Sequence, residues 1–495
     1  MVRLVTVGVL LACAGGLELS AQPAPPFRWA GDAEGGAPYV EADPGDPSRV
    51  VGFDVDVADL IARDLGREPQ FVEVAFASID QSIARGDAEI GLSGIEDTPA
   101  RRSAYAVTIP YYQFREVLSV RSSDAGQFRT LSDLRGRRVG TLGGTIAYEI
   151  LLQAQRDHGI VAVSYEDDVH PYSDLLIGRL DAVLLDNVLA ERRSRTTPGF
   201  VTHPEPIAVS QYVGVLAPGN AELRDQVDRI LKQAMRDGRL EEIFRKWKVW
   251  NADQPQLFAR VLEGAAIAPV TGYETESLVS LSKWEATRRY LPAFSRAATI
   301  TLVLSCSAML VAVVLGVAIA TGRLYGDRLT RLALTAYVEL IRGTPLLLQL
   351  FVLYYGIAAA IRLPAFIAAL LGLALNYAAY ESEIYRSALL SVPVGQLEAS
   401  RTLGFSEFQT LRLIRGPQAF RVALAPMTND FVAMLKDSSL VSVLTVMELT
   451  KQTQIFATNL GSWVIPGIIC ALLYLAMSLP LAALARMLER RWRMG

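Results

Sequence analysis

Residues 89–102, EIGLSGIEDTPARR, put a short apolar run, two glycines, adjacent acids and two arginines in one stretch. The pattern is a buried strand running into a turn, with Arg101 just behind it. Similar short runs recur on either side: VVGFDV (50–55), RRVGTLGG (137–144), DAVLLD (181–186) and YVGVLAP (212–218). Helical patterns separate them, VADLIARDLG (57–66) and LRDQVDRILKQAMRDGRLEEIFRKW (223–247). Strand and helix in alternation predict α/β sheets with ligands at the carboxyl ends of strands.

The chain changes solvent further on. A hydrophobic content of 51% and a mean hydropathy of +0.27 average over a polar stretch to about Leu281 and an apolar one from about Ala293. Five segments are expected to span a membrane: about Ala297–Ala320, Leu332–Tyr355, Pro364–Leu390, Phe420–Leu444 and Trp463–Leu484, the fourth being the least apolar. Arginines at 323, 328 and 331, at 401, 412 and 415, and at 490, 491 and 493 fall in alternate connections, which would face the cytoplasm. The other connections hold little beyond Arg362 and Lys451, and only Arg288, Arg289 and Arg296 run against the bias. The polar half would then lie outside.

Residues 1–21 read as an export signal, with Arg3, an apolar run from Leu4 to Ala14 and a cleavage site after Ala21; a lipid on Cys13 and an uncleaved anchor are the alternatives. A linker with an interfacial helix is expected over 251–292, between a binding domain at 27–250 and a membrane domain at 293–493.

Net charge is −3, and no basic block offers the footprint that nucleic acid needs. Cys13, Cys306 and Cys470 leave the exported half without a disulfide framework, and His158, His170 and His203 lack a metal-ligand spacing, so no metal is expected. No Gly-x4-Gly-Lys-Ser/Thr phosphate loop is present, so ATP would be bound by a partner subunit and no cofactor by this chain.

Four motifs, GFDVDVADLIARDLG (52–66), GDAEIGLSGIEDTPAR (86–101), LSDLRGRRVGTLGGT (131–145) and GRLDAVLLDNVLA (178–190), give the polar half its identity. It resembles the polar amino-acid branch of the bacterial solute-binding proteins, two-lobed α/β clamshells that close on a ligand. The resemblance implies that Arg101 forks onto the ligand's α-carboxylate, with backbone N–H groups of Thr145 and Ile146 beside it. It implies that Asp186 and the carbonyl of Gly94 receive the α-ammonium, that Phe76 is a wall for the side chain, and that Asp32 stands near the entrance. On residue type alone, Arg101 reads first as a solvated residue after a turn, and Asp186 and Phe76 have the alternatives of a helix cap and a core ring. The chain departs from the pattern at Glu96, where Ser or Thr is usual, and at Gly36, where an aromatic ring often stacks. A second carboxylate near Asp186 would grip the ammonium or favour a basic or amide side chain.

In the apolar half, YVELIRGTPLLLQLFVLYYG (337–356), NYAAYESEIYRSALLSVPVGQ (376–396) and LKDSSLVSVLTVMEL (435–449) resemble the all-α ABC permeases for polar amino acids. The polar segment 391–419 resembles their EAA loop. Helix is expected from Gln396 to Leu403, a stop at Gly404, and a capping box from Ser406 to Gln409. By resemblance, Glu398, Ala399, Gly404, Ile414 and Pro417 couple to an ATP-binding subunit, although Ser400 replaces a usual alanine and Arg415–Gly416 an apolar pair. Pro345 predicts a break or kink in the second span. Asn376, Glu381, Glu383, Arg386, Asn429, Asp430, Lys436 and Asp437 must face protein or water.

Together these readings predict a fused receptor and permease for a polar amino acid. It would act as a homodimer in the lipid of a bacterial inner membrane, driven by a separate ABC ATP-binding subunit and not itself an enzyme. A ligand-gated channel or sensor is the alternative.

Overall fold

A computed structural model describes residues 25–33, 37–271, 283–357, 361, 363–460 and 463–493. The leader at 1–21, Gly36, Arg362 and the middle of the expected linker lie outside the described residues.

The polar half folds around two sheets. The first runs in the order Pro69–Glu73, Phe27–Gly31, Ile90–Gly91, Val215–Leu216, Ala106–Val107. Its three leading strands are parallel, as strand–helix alternation requires, and Val215–Leu216 enters antiparallel from the far end of the domain. The second is seven-stranded, with Tyr112–Arg121 at its centre between Ala208–Tyr212 and Ala182–Asp186, followed by Arg138–Leu142 and Val161–Tyr165. The chain passes between the lobes twice, at 108–111 and at 213–214. The two passages bond to each other: Thr108 N–H donates to the Gly214 carbonyl at 3.0 Å, and Gly214 N–H to Thr108 Oγ1 at 2.8 Å. A paired double connection of this kind has the geometry of a hinge between two lobes.

The expected linker is partly domain. Asp253–Leu262 is a helix fixed to the second sheet, with Arg115 forked onto Asp253 at 2.5 and 2.7 Å and the Gln254 side chain bonding both backbone groups of Gln113. Val270–Thr271 adds a strand beside Ala208–Tyr212. Among the described residues no separate interfacial helix follows. From Lys283 one 43-residue helix runs unbroken through Pro292 to Tyr325, because nothing after that proline stops the apolar run.

Three helical segments of the membrane half, Tyr290–Tyr325, Ala365–Leu390 and Val464–Leu484, are long and apolar enough to cross a bilayer. A further pair of helices is apolar enough only when taken together, and it is bent. Arg328–Arg342 and Leu346–Gly356 meet at 109° about Gly343–Pro345, since a proline cannot donate to the preceding turn and disfavours helix in the residue before it. The expected fourth span is a helix over Gly416–Asp437 ending in tight 3-10 turns at Ser438–Leu444; with Arg421, Asp430, Lys436 and Asp437 it is too charged to pass as an apolar span. It packs instead against Ala365–Leu390 and Val464–Arg493.

Candidate functional site

The cleft between the lobes holds a cavity of about 110 Å³, lined among others by Asp32, Phe76, Gly94, Glu96, Thr145 and Asp186. Each is held by local structure. Gly94 follows the strand Ile90–Gly91 with φ +64°, and a Cβ there would sit 2.8 Å from the Tyr39 ring, so only glycine fits. Its N–H donates to buried Asp54 at 2.6 Å, and Tyr111 donates to the other oxygen at 2.9 Å. Burial raises the Asp54 carboxyl to about 7 despite these two donors. Asp186 ends the strand Ala182–Asp186 and begins a helix, where it accepts Leu189 N–H at 2.9 Å. The cap and the cavity-lining acid are therefore one residue, whose second oxygen accepts the Tyr39 hydroxyl at 2.9 Å. Asp32 accepts Phe76 N–H at 2.7 Å and so fixes the turn that carries the half-buried Phe76 ring.

Arg101 and Ile146 lie just behind this lining. The Arg101 guanidinium is bonded to Asp80 at 2.9 Å through Nε and to the Glu96 carbonyl at 2.8 Å through Nη1. Ile146 N–H, the first of the helix Ile146–Asp157, donates to Glu96 Oε2 at 2.8 Å. Two of the groups expected to meet a carboxylate thus already hold carboxylates of the chain itself, Ile146 N–H that of Glu96 and Arg101 that of Asp80. Glu96 is 5% exposed, and burial, only partly offset by Arg101 and Ile146 N–H, raises its carboxyl to about 8. Burial also raises Asp186, to about 6.

Sequence reasoning missed several neighbours. Tyr39 bonds both Asp186 and, at 2.7 Å, Tyr212; its signal was the ring three residues beyond the absent aromatic at Gly36. Glu116 lies in phase with Tyr112, Phe114, Leu118 and Val120 on the buried face of one strand, a charge at an apolar position. It is 1% exposed, its Oε2 has no hydrogen-bond partner, and burial beside Glu96 and Asp186 pushes its carboxyl well above the usual range. Tyr165 and Glu166 complete the cleft mouth.

The two halves touch through the second lobe. Lys451, buried on the helix Leu449–Leu460, reaches Glu166, and the same helix lies beside the Phe76–Ser78 turn of the first lobe. Arg179 lies over the Tyr354 ring at 3.9 Å and donates to its carbonyl at 3.0 Å, while Tyr354 donates to Asp174 at 3.2 Å. His170 stacks on Tyr355 at 3.8 Å. No local pattern marked these residues, because each contact joins sequence positions far apart. Among the described residues no group of His, Cys, Asp or Glu is placed to hold a metal.

At the opposite end of the membrane half, Val394–Thr402 forms the expected helix, Gly404 follows at φ +83°, and both bonds of the Ser406–Gln409 capping box are present. Glu398, Ala399, Gly404 and Pro417 are exposed and Ile414 is half-buried. Ser400 bonds Thr410 at 3.0 Å, tying the two arms of the loop, and Arg415 bonds the Leu389 carbonyl at 2.7 Å and Tyr325 at 2.6 Å. The departures from the resemblance thus stiffen the loop. Leu403 and Phe408 stand 75% and 69% exposed, an apolar pair that water does not favour.

Comparison with known proteins gives two family matches: bacterial extracellular solute-binding proteins, family 3, over residues 31–249, and the binding-protein-dependent transport system inner membrane component over residues 312–494. The chain is 37% identical over 204 residues to the L-cystine transport system permease protein TcyB of Bacillus subtilis (strain 168), covering 41% of this chain and 87% of that one. It is 34% identical over 214 residues to the glutamine transport system permease protein GlnP of Escherichia coli (strain K12), covering 42% and 97%. Among solved structures, an ancestral arginine-binding protein bound to arginine aligns with a TM-score of 0.41 at 24% identity, covering 46% of this chain and 99% of that one.

Proposed function

From a chain that belongs to the binding-protein-dependent transport system inner membrane components and carries a family 3 solute-binding domain, we propose a fused capture-and-permease subunit of an ATP-driven amino-acid importer. The observation that carries this reading is the contact between an acid-lined cleft and the membrane half, through Lys451–Glu166 and Arg179–Tyr354, on one polypeptide. The cleft takes a polar amino acid outside the cell: Asp186 and the Gly94 carbonyl receive its ammonium, Phe76 supports its side chain, and Arg101 with the Thr145–Ile146 turn meets its carboxylate once Glu96 gives way. Hinge opening at 108–111 and 213–214 releases it beside the helix Leu449–Leu460.

The chain sits multi-pass in the bacterial inner membrane, and two membrane halves in a homodimer enclose the path, since one half is too small to surround it. A separate ABC ATP-binding subunit seats the Glu398–Pro417 loop, whose exposed Leu403 and Phe408 suit an apolar groove. ATP hydrolysis belongs to that subunit. Reconstitution in proteoliposomes tests the reading: labelled amino acid should accumulate only with the ATP-binding subunit and ATP. A ligand-evoked conductance without ATP would establish a channel instead.

A further inference from the structure

The charge balance of the cleft carries one step more, resting on the importer reading. Four carboxyl side chains line the cavity, Asp32, Glu96, Glu166 and Asp186, and among the described residues no Lys, Arg or His does. Glu116 stands behind Glu96 and Asp186, buried, with one oxygen unpartnered. The nearest cations are committed: Arg101 to Asp80 and the Glu96 carbonyl, and Lys451 to Glu166.

Glu96 matters most, because its carboxylate already occupies the Ile146 N–H at the start of a 12-residue helix. That donor is one that an incoming anionic group would need. A substrate can therefore meet the site in two ways. If Glu96 stays, the substrate must present a cation to it. If a substrate carboxylate displaces Glu96, the freed side chain crowds Asp186, Glu116 and the newcomer, and a cation on the substrate lets these acids ionise without mutual repulsion. A neutral zwitterion supplies one positive group for its own negative one and leaves the surplus unchanged; an acidic amino acid increases it.

We propose that the cleft selects a substrate with net positive charge, a basic amino acid, and that Glu96 is the residue that sets this preference. Its test uses the full chain in detergent micelles, with affinities taken from ligand-induced shifts in Tm and from calorimetry. The probes are L-arginine, L-lysine, L-glutamine and L-glutamate, with the diamines putrescine and cadaverine, which lack a carboxylate. Arginine or lysine is expected to bind at least tenfold tighter than glutamine, with glutamate giving no shift. Glu96→Gln is expected to bring arginine and glutamine within about threefold of each other, and Glu96→Asp to keep part of the preference. Glutamine or glutamate binding within threefold of arginine in the unmodified chain would overturn the proposal, as would a full tenfold preference surviving in Glu96→Gln. Diamines binding where no amino acid does would keep the charge preference and sink the amino-acid reading; binding of neither class would sink both.

Discussion

At the residue scale, Arg101 is the position where local sequence and surroundings say different things. Its guanidinium stays beside the cleft because Asp80 and the Glu96 carbonyl hold it, and both would be left short of a partner without it. Breaking a buried pair from one side costs about 3–5 kcal/mol. Arg101→Ala is therefore expected to lower Tm of the unliganded chain and to abolish the ligand-induced rise, as is Asp186→Ala; a normal ligand response in Arg101→Ala would remove the guanidinium from the site. The pH dependence follows from the acids. Glu96 and Asp186 bind protons in the folded chain that they release when unfolded, so the stability they contribute is complete below the ordinary carboxylate range. It is lost as pH rises through about 6 for Asp186 and about 8 for Glu96. Tm of the unliganded chain should fall over that window, and Glu96→Gln should flatten the upper part of the fall. Binding of a basic amino acid, which favours the ionised acids, should tighten across the same window.

At the scale of elements, the loop 391–419 shows local sequence at its most legible. The capping box, the left-handed glycine and the helix between them depend on residues within four positions of one another, so no distant partner is needed to form them. The strand Tyr112–Arg121 is the opposite case: its alternation is plain, but that Glu116 lies beside Glu96 and Asp186 depends on strands and turns from other parts of the chain. Ser406→Ala removes the cap and should cost about 1 kcal/mol, slowing uptake without changing ligand binding. Glu398→Lys, on an exposed position, should leave the ligand-induced Tm shift intact and stop ATP-dependent uptake in proteoliposomes. Uptake at the normal rate in Glu398→Lys would detach this helix from energy coupling.

At the scale of the whole molecule, the two halves are joined by more than their covalent connection. Lys451 puts a membrane-domain cation on a carboxylate of the cleft mouth, so the cleft and the membrane half share one ion pair. Lys451→Glu and Glu166→Lys should each slow uptake several-fold, and the double exchange should recover much of the rate; no recovery would mean the pair does not transmit closure. Period, capping and hydropathy by themselves determined the α/β character of the polar half, the apolar runs of the other, the break at Pro345 and the helix, glycine stop and capping box of the loop 391–419, because those features arise from interactions a few residues apart or from solvent preference along a run. Tertiary structure alone decided that residues 253–262 and 270–271 belong to the receptor, that Glu96 occupies the Ile146 N–H, and that Lys451 reaches Glu166. Those outcomes rest on charges and strands brought together from positions up to 285 residues apart, and a burial cost that exists only once they meet is not written in any one stretch of the chain.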